Sequence, residues 1–489
     1  PPDPHIAGEK WRDMWLERLE GSGLWLKKWL FHQTRDDYWK HASICENYEA
    51  VKVPVLAVSG WADGYSNTVF RLVENLRSPV KGIVGAWGHK YPHMGGPGPA
   101  IDFLGECLRW WDSWLKDRDT GVMEEPILRA WMQDTVSPLL AKRPGRWVAE
   151  KNWPSERITE KEYIITQHGL AEQRLARRYK KKIDIQSPLS VGLFGGKWCS
   201  YAEAADLPWD QREEDGGALI FETDHLDDHL EILGRPYAEL EVSIDKPQGM
   251  IAVRLTDISP SDRGTRVTYG LLNLTHRDSH EYPEELEPGK RYKVRIPMNY
   301  IAQKFPQNHK IRMSLSTSYW PLAWPSPEPV KLSVYTENSR LVLPVRPRSD
   351  DDNGLRVFNA PPRLKSLDTT LLAPAEREWT VTHNLVDNSV RVNVVNNDPK
   401  IILNDINLAI QKDVKEMFTY FNNNYDTVKG EVIATRGFKR DDHELQTVTR
   451  TVLTSTRTHF KIRATLDAFE GDLRVFSKSW DEKITRQLG

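Results

Sequence analysis

The sequence predicts a mixed α/β plus all-β protein, and three observations carry that reading. Two short, continuous apolar runs flank an amphipathic stretch within residues 51–118, and period-two alternation fills residues 121–347. The same alternation returns over residues 356–489. A continuous apolar run marks a strand buried on both faces, whereas alternation marks a sheet with one wet face.

Residues 1–45 read as tryptophan-rich helices. Trp11, Trp15 and Leu19 recur at helical spacing, Gly21-Ser22-Gly23 interrupts, and Leu24 to Phe31 resumes. Asp36-Asp37-Tyr38-Trp39 places acids where a helix starts. Most of these rings are expected to face a core, and a minority to line a pocket, as aromatics of helical caps do. Next, Val53 to Val58 predicts a strand, Val69, Phe70, Val73 and Leu76 one face of a helix, and Val80 to Trp87 a second strand. Such a unit puts the two strands parallel and adjacent. After a Gly/Pro loop, Ile101, Leu104, Leu108, Trp111 and Leu115 share one helical face. Two parallel strands do not stand alone, so the rest of their sheet is expected to be missing or supplied elsewhere.

Within 121–347, the alternations at Ala238 to Ile244, Ile251 to Leu255, Tyr292 to Ile296 and Ile311 to Leu315 predict a sandwich of jelly-roll type. The acidic run Ser349 to Gly354 reads as a linker, and 356–489 as a further β-rich domain with one helix near Asn407 to Phe421. The domain reading is therefore 1–45, 46–120, 121–347 and 356–489.

Composition excludes several classes. Basic and acidic residues number 67 and 69, for a formal charge of −2, and no basic stripe calls for nucleic acid. No apolar run approaches the roughly 20 residues that cross a bilayer. Cys45, Cys107 and Cys199 are widely spaced and odd in number, which argues against a disulfide framework and for a reducing, cytoplasmic setting. The start Pro1-Pro2-Asp3-Pro4 reads as a cut, which leaves open an export signal ahead of it. Oligomeric state has no signature here, and nothing calls for a cofactor.

Two residues stand where an open α/β sheet presents its chemistry. Asp63 follows the first strand in Gly60-Trp61-Ala62-Asp63-Gly64-Tyr65, and His89 follows the second in Gly85-Ala86-Trp87-Gly88-His89. Neighbouring strands lie about 4.8 Å apart, close enough for a carboxylate to fix an imidazole's tautomer. Against this, Asp-Gly is first a turn signal and a lone histidine first a loop residue. Trp61, Tyr65 and Trp87 border the pair in the chain and are candidate pocket residues. The nucleophile is unknown, for no G-x-S-x-G elbow occurs. The nearest approach, Gly64-Tyr65-Ser66-Asn67-Thr68, places Ser66 at a helix start, where its hydroxyl reads as a cap. His89 and His93 have metal-ligand spacing, but Pro92 and the following glycines break a helix there, so no metal site is expected.

These segments resemble the cocaine esterase/NonD and X-Pro dipeptidyl-peptidase family of serine hydrolases. The likeness rests on Val53-Pro54-Val55-Leu56 with the two loops above, and on Arg109-Trp110-Trp111-Asp112-Ser113-Trp114-Leu115-Lys116. Asp227 to Gly234 and Ser316-Thr317-Ser318-Tyr319-Trp320-Pro321 extend it, so that it covers about residues 10–345. The resemblance implies the C-terminal part of an α/β-hydrolase core with a helical cap remnant, followed by a jelly roll. It implies Asp63 as triad acid, His89 as base and Tyr65 beside the acyl pocket. The family's nucleophile and oxyanion-hole tyrosine both precede the cap and have no counterpart here, so the chain alone is expected to be inactive. The substrate would be a small ester or a peptide amide. A non-catalytic jelly roll that binds carbohydrate or a protein partner is the alternative.

Overall fold

A computed structural model describes residues 1–138, 142–166, 169–172, 181–201, 206–363 and 365–488. It divides into two compact units, Asp36–Arg363 and Pro1–Arg35 with Leu364–Gly489.

In the larger unit, β1 (Val55–Gly60), α1 (Ser66–Asn75) and β2 (Val80–Gly85) form the expected βαβ arrangement. The strands pair in parallel from Val55 opposite Val80 to Gly60 opposite Gly85. Helix α1 buries Val69, Phe70 and Val73, and its apolar face shares a core with Ala57 and Val84. Ser66 is the first helical residue and makes no capping bond. The expected hydroxyl cap is therefore corrected: Tyr65 occupies the cap position, and its backbone N–H is held by Asp63.

The sheet continues on the β2 side, supplied by the all-β region. β3 (Leu128–Asp134) pairs in parallel with β2, and Ile301–Phe305, Leu230–Gly234, Leu332–Val345, Tyr237–Ile244 and Tyr292–Pro297 extend it. A second, four-stranded antiparallel sheet contains Met250–Ile258, Gly264–Asn273, Lys310–Ser316 and Leu219–Glu222. Leu240, Val242 and Ile296 of the first sheet share a core with Val253, Leu255 and Met313 of the second. Inward residues thus alternate with outward ones, as the period-two pattern required.

Three local expectations are corrected. β2 is buried throughout, but β1 buries only Ala57 and Gly60, because β2 is its one partner among the described residues. α2 (Phe103–Leu115) buries Glu106 and Trp110, while Leu104, Leu108, Trp111 and Leu115 are exposed. Its position is set by ion pairs, Arg109 to Glu125 and Arg356 to Glu106 and Glu125, rather than by the apolar stripe. The acidic run is no free linker either. Asp352 makes a two-pronged bond to the buried Arg346 guanidinium at 2.7 and 2.9 Å, and Arg346 also reaches Glu150.

The smaller unit is a nine-stranded sheet with the N-terminal helices on it. The helix Trp11–Glu20 buries Trp15 and Leu19 among Leu445, Leu466 and Ala468. Leu408–Phe421, expected as a helix, is a strand paired on both edges, with Ser389–Asn397 and Lys429–Arg440. Ile410, Val414 and Met417 mimic helical spacing, but ladders along both edges outweigh that local pattern. Among the described residues, no helix is long and apolar enough to cross a membrane.

Candidate active site

The loops that leave β1 and β2 are zipped together beyond the strands. Trp61 N–H donates to the Gly85 carbonyl at 2.9 Å and Ala62 N–H to the Trp87 carbonyl at 3.0 Å. Neither Gly60 nor Gly85 has room for a side chain. A Cβ on Gly60 would lie 2.1 Å from the Trp87 carbonyl oxygen, and one on Gly85 would lie 2.5 Å from the Trp87 ring. Trp87 is the wedge between the loops, 1% exposed, with its indole N–H on the Pro99 carbonyl at 2.7 Å.

This packing brings Asp63 and His89 together. His89 Nδ1 lies 3.2 Å from Asp63 Oδ2. The other carboxylate oxygen, Oδ1, accepts the Tyr65 backbone N–H at 3.0 Å, so the two oxygens divide their work. Asp63 is largely covered, with 11% of its side chain exposed, whereas His89 is 44% exposed and open to an approaching group. The His89 backbone N–H donates to the Ser200 carbonyl at 2.5 Å, and Ser200 N–H donates to the Ala62 carbonyl at 3.3 Å. A segment of the all-β region therefore stitches the acid loop to the base loop.

Around the imidazole stand Tyr65, with ring centroids 5.6 Å apart, and Tyr201 at 5.4 Å. Trp198 crosses Tyr65 edge-on at 5.1 Å. Of the three pocket candidates, Tyr65 is beside His89 and 52% exposed. Trp87 is in the core, which removes it from any surface a substrate could touch. Trp61 stacks on Phe70 at 5.8 Å, donates its N–H to the Trp131 carbonyl, and borders a cavity of about 90 Å³ behind Asp63. His93 does not join His89 as a ligand; it stacks on Tyr91 at 5.7 Å and on Phe103 at 6.5 Å.

Trp198, Cys199, Ser200 and Tyr201 were not among the sequence-based candidates. They reach the site only through the fold, and the one trace in the chain is a cysteine set among aromatics. Ligand atoms of Asp63, His89 and Cys199 all lie within 4.8 Å of one another. Burial, then the nearby Asp63 carboxylate, push the Cys199 thiol above its ordinary value against the opposing Gly64 hydrogen bond. A nucleophilic cysteine needs the opposite surroundings, so Cys199 is not suited to attack.

Parallel strands with a carboxylate and an imidazole in contact at their carboxyl ends are an arrangement that an α/β-hydrolase fold can present. Residues 3–91 match the X-Pro dipeptidyl-peptidase (S15 family) model, and residues 120–362 match that of the X-Pro dipeptidyl-peptidase C-terminal non-catalytic domain. The chain belongs to the cocaine esterase/NonD and X-Pro dipeptidyl-peptidase family of serine hydrolases. It is 20% identical over 312 residues to the cocaine esterase of Rhodococcus sp. (strain MB1 Bresler), covering 59% of this chain and 53% of that protein. Its fold is similar to a CocE/NonD family hydrolase from Staphylococcus aureus, with a TM-score of 0.51 at 14% identity over 66% of this chain and 59% of the other. An α-amino acid ester hydrolase matches with a TM-score of 0.52 at 18% identity, over 68% of this chain and 62% of the other. The chain spans about half the length of the curated relatives it matches.

Proposed function

We propose that this chain serves a serine hydrolase of the esterase or X-Pro dipeptidyl-peptidase type, with His89 as general base and Asp63 as the acid that orients it. The observation that carries the reading is the 3.2 Å contact from His89 Nδ1 to Asp63 Oδ2 at the carboxyl ends of adjacent parallel strands. With Nδ1–H directed at the carboxylate, Nε2 keeps the lone pair that removes a proton from a serine hydroxyl. The serine attacks the carbonyl, His89 protonates the leaving group, and water hydrolyses the acyl-enzyme by the same route. Asp63 stabilises the imidazolium that forms. Tyr65 forms one wall of the acyl pocket.

The serine would come from outside these 489 residues, since the sequence holds no nucleophile elbow. Two features support this. β1 has a free outer edge among the described residues, and α2 leaves an apolar stripe open; further strands of such a sheet would cover both. The match to the S15 family from residue 3 supports residues 1–45 as cap-derived, and the two facing sheets support a jelly roll for 121–347. A sandwich that only binds a partner leaves the Asp63–His89 pair without a role.

In the complete hydrolase, His89→Ala and Asp63→Asn should each lower kcat by about 10⁴-fold with little change in KM. The 489-residue chain by itself should not turn over p-nitrophenyl esters or X-Pro anilides. Undiminished kcat in His89→Ala would end this assignment.

A further inference from the structure

We propose that Asp63, His89 and Cys199 form a binding site for zinc or a similar borderline-soft divalent cation. The donor set is one carboxylate, one imidazole and one thiol, with ligand atoms within 4.8 Å of one another. Zinc takes O, N and S donors at about 2.0–2.3 Å, which puts the ligand atoms of a tetrahedral site about 3.3–3.7 Å apart. The Nδ1–Oδ2 distance of 3.2 Å falls just short of that spacing. The thiol closes the remainder by a small shift toward the half-exposed His89 ring. Hard cations such as magnesium and calcium seek oxygen ligands alone and gain little from this set.

The ligands come from three segments held in mutual register. Asp63 is fixed by the Tyr65 N–H. His89 is fixed through its own N–H on the Ser200 carbonyl, and Ser200, next to Cys199, is bonded to Ala62. The framework therefore exists without the metal, and the 44% exposure of His89 gives an entry path and a fourth position for water. Three protein ligands with one open position is a recurrent zinc geometry. On binding, the Cys199 S–H bond gives way to a sulfur–metal bond and its proton passes to solvent, while the His89 ring proton leaves Nδ1 and Nε2 takes one from solvent, which keeps the imidazole neutral; no electron is transferred. With the metal on Nδ1, the ring proton sits on Nε2, the nitrogen that must accept the serine proton, and the Asp63 carboxylate is engaged by the metal, so occupancy and hydrolysis exclude one another. That consequence, unlike the site itself, rests on the functional reading above.

The test is a titration of the chelator-washed chain with Co²⁺. One equivalent should bind with tetrahedral visible bands and a near-ultraviolet thiolate-to-cobalt band. Cys199→Ser should lose the near-ultraviolet band, whereas Cys45→Ser and Cys107→Ser should keep it. His89→Ala should weaken binding by more than about 100-fold, since even outer partners of a metal ligand contribute 10–100-fold. Circular dichroism matching the parent shows each variant folded; Cys199→Ala serves if the serine variant is not. Absence of the thiolate band, or its persistence in folded Cys199→Ser, overturns the proposal. In the complete hydrolase, Zn²⁺ should inhibit and a chelator restore the rate, with Cys199→Ser resistant relative to its own zinc-free rate. Turnover without a cobalt–thiolate band refutes the metal site alone. A cobalt–thiolate band in an enzyme with no hydrolase activity refutes the functional reading alone.

Discussion

Gly60 and Gly85 face each other across the parallel ladder, and both owe their identity to Trp87. A methyl group on Gly60 must push the Trp87 backbone away, and with it the loop that holds His89. Gly60→Ala should therefore cost about 1–3 kcal/mol, read from urea midpoints, and should lower kcat of the complete hydrolase more than Ala62→Gly does. The meeting of Asp63 and His89 was legible from the sequence because each follows an apolar run that ends at the same rim. Trp87 misled, since adjacency in sequence to a candidate base says nothing of which way a ring points. Cys199 was illegible for the converse reason: nothing in its local pattern names the loops it meets.

At the scale of elements, charge fixes what apolar pattern did not. Glu125 binds Arg109 and Arg356, both anchored on or against α2. Burial alone would raise its carboxyl, but the Arg356 and Arg109 hydrogen bonds and charges outweigh it and hold the group below its ordinary range. A carboxyl lowered in the folded state contributes stability above its unfolded value, near 4.3, and loses it as pH falls through the folded one. The urea midpoint should thus decline from about pH 5 toward pH 3, and Glu125→Gln should flatten that decline while lowering the midpoint at neutrality. Here lies the limit of periodicity: Leu104, Leu108, Trp111 and Leu115 form a sound amphipathic stripe, yet nothing among the described residues covers it. In Leu408–Phe421 the same rule failed differently, because long-range ladders decide between helix and strand when local spacing is ambiguous. Strands with strict alternation, such as Tyr237–Ile244, were legible throughout.

For the whole molecule, the two units predict more than one unfolding transition rather than a single cooperative step. Trp15 is 3% exposed and belongs to the unit formed with residues 364–489. Trp15→Ala should lower one calorimetric transition by about 3–5 kcal/mol and leave the other, along with Asp63–His89 chemistry, unchanged. Grouping of the first 35 residues with the last 125 or so was not visible in the sequence, since composition marks elements and not their partners. The stitch from Ser200 to both His89 and Ala62 has a practical corollary for anyone recombining relatives. A chimera that joins the hydrolase half of one protein to the sandwich of another imports a foreign clasp for its own charge pair. Such hybrids should regain turnover when residues 198–201 are transplanted together with the two loops, making this short stretch the natural crossover boundary.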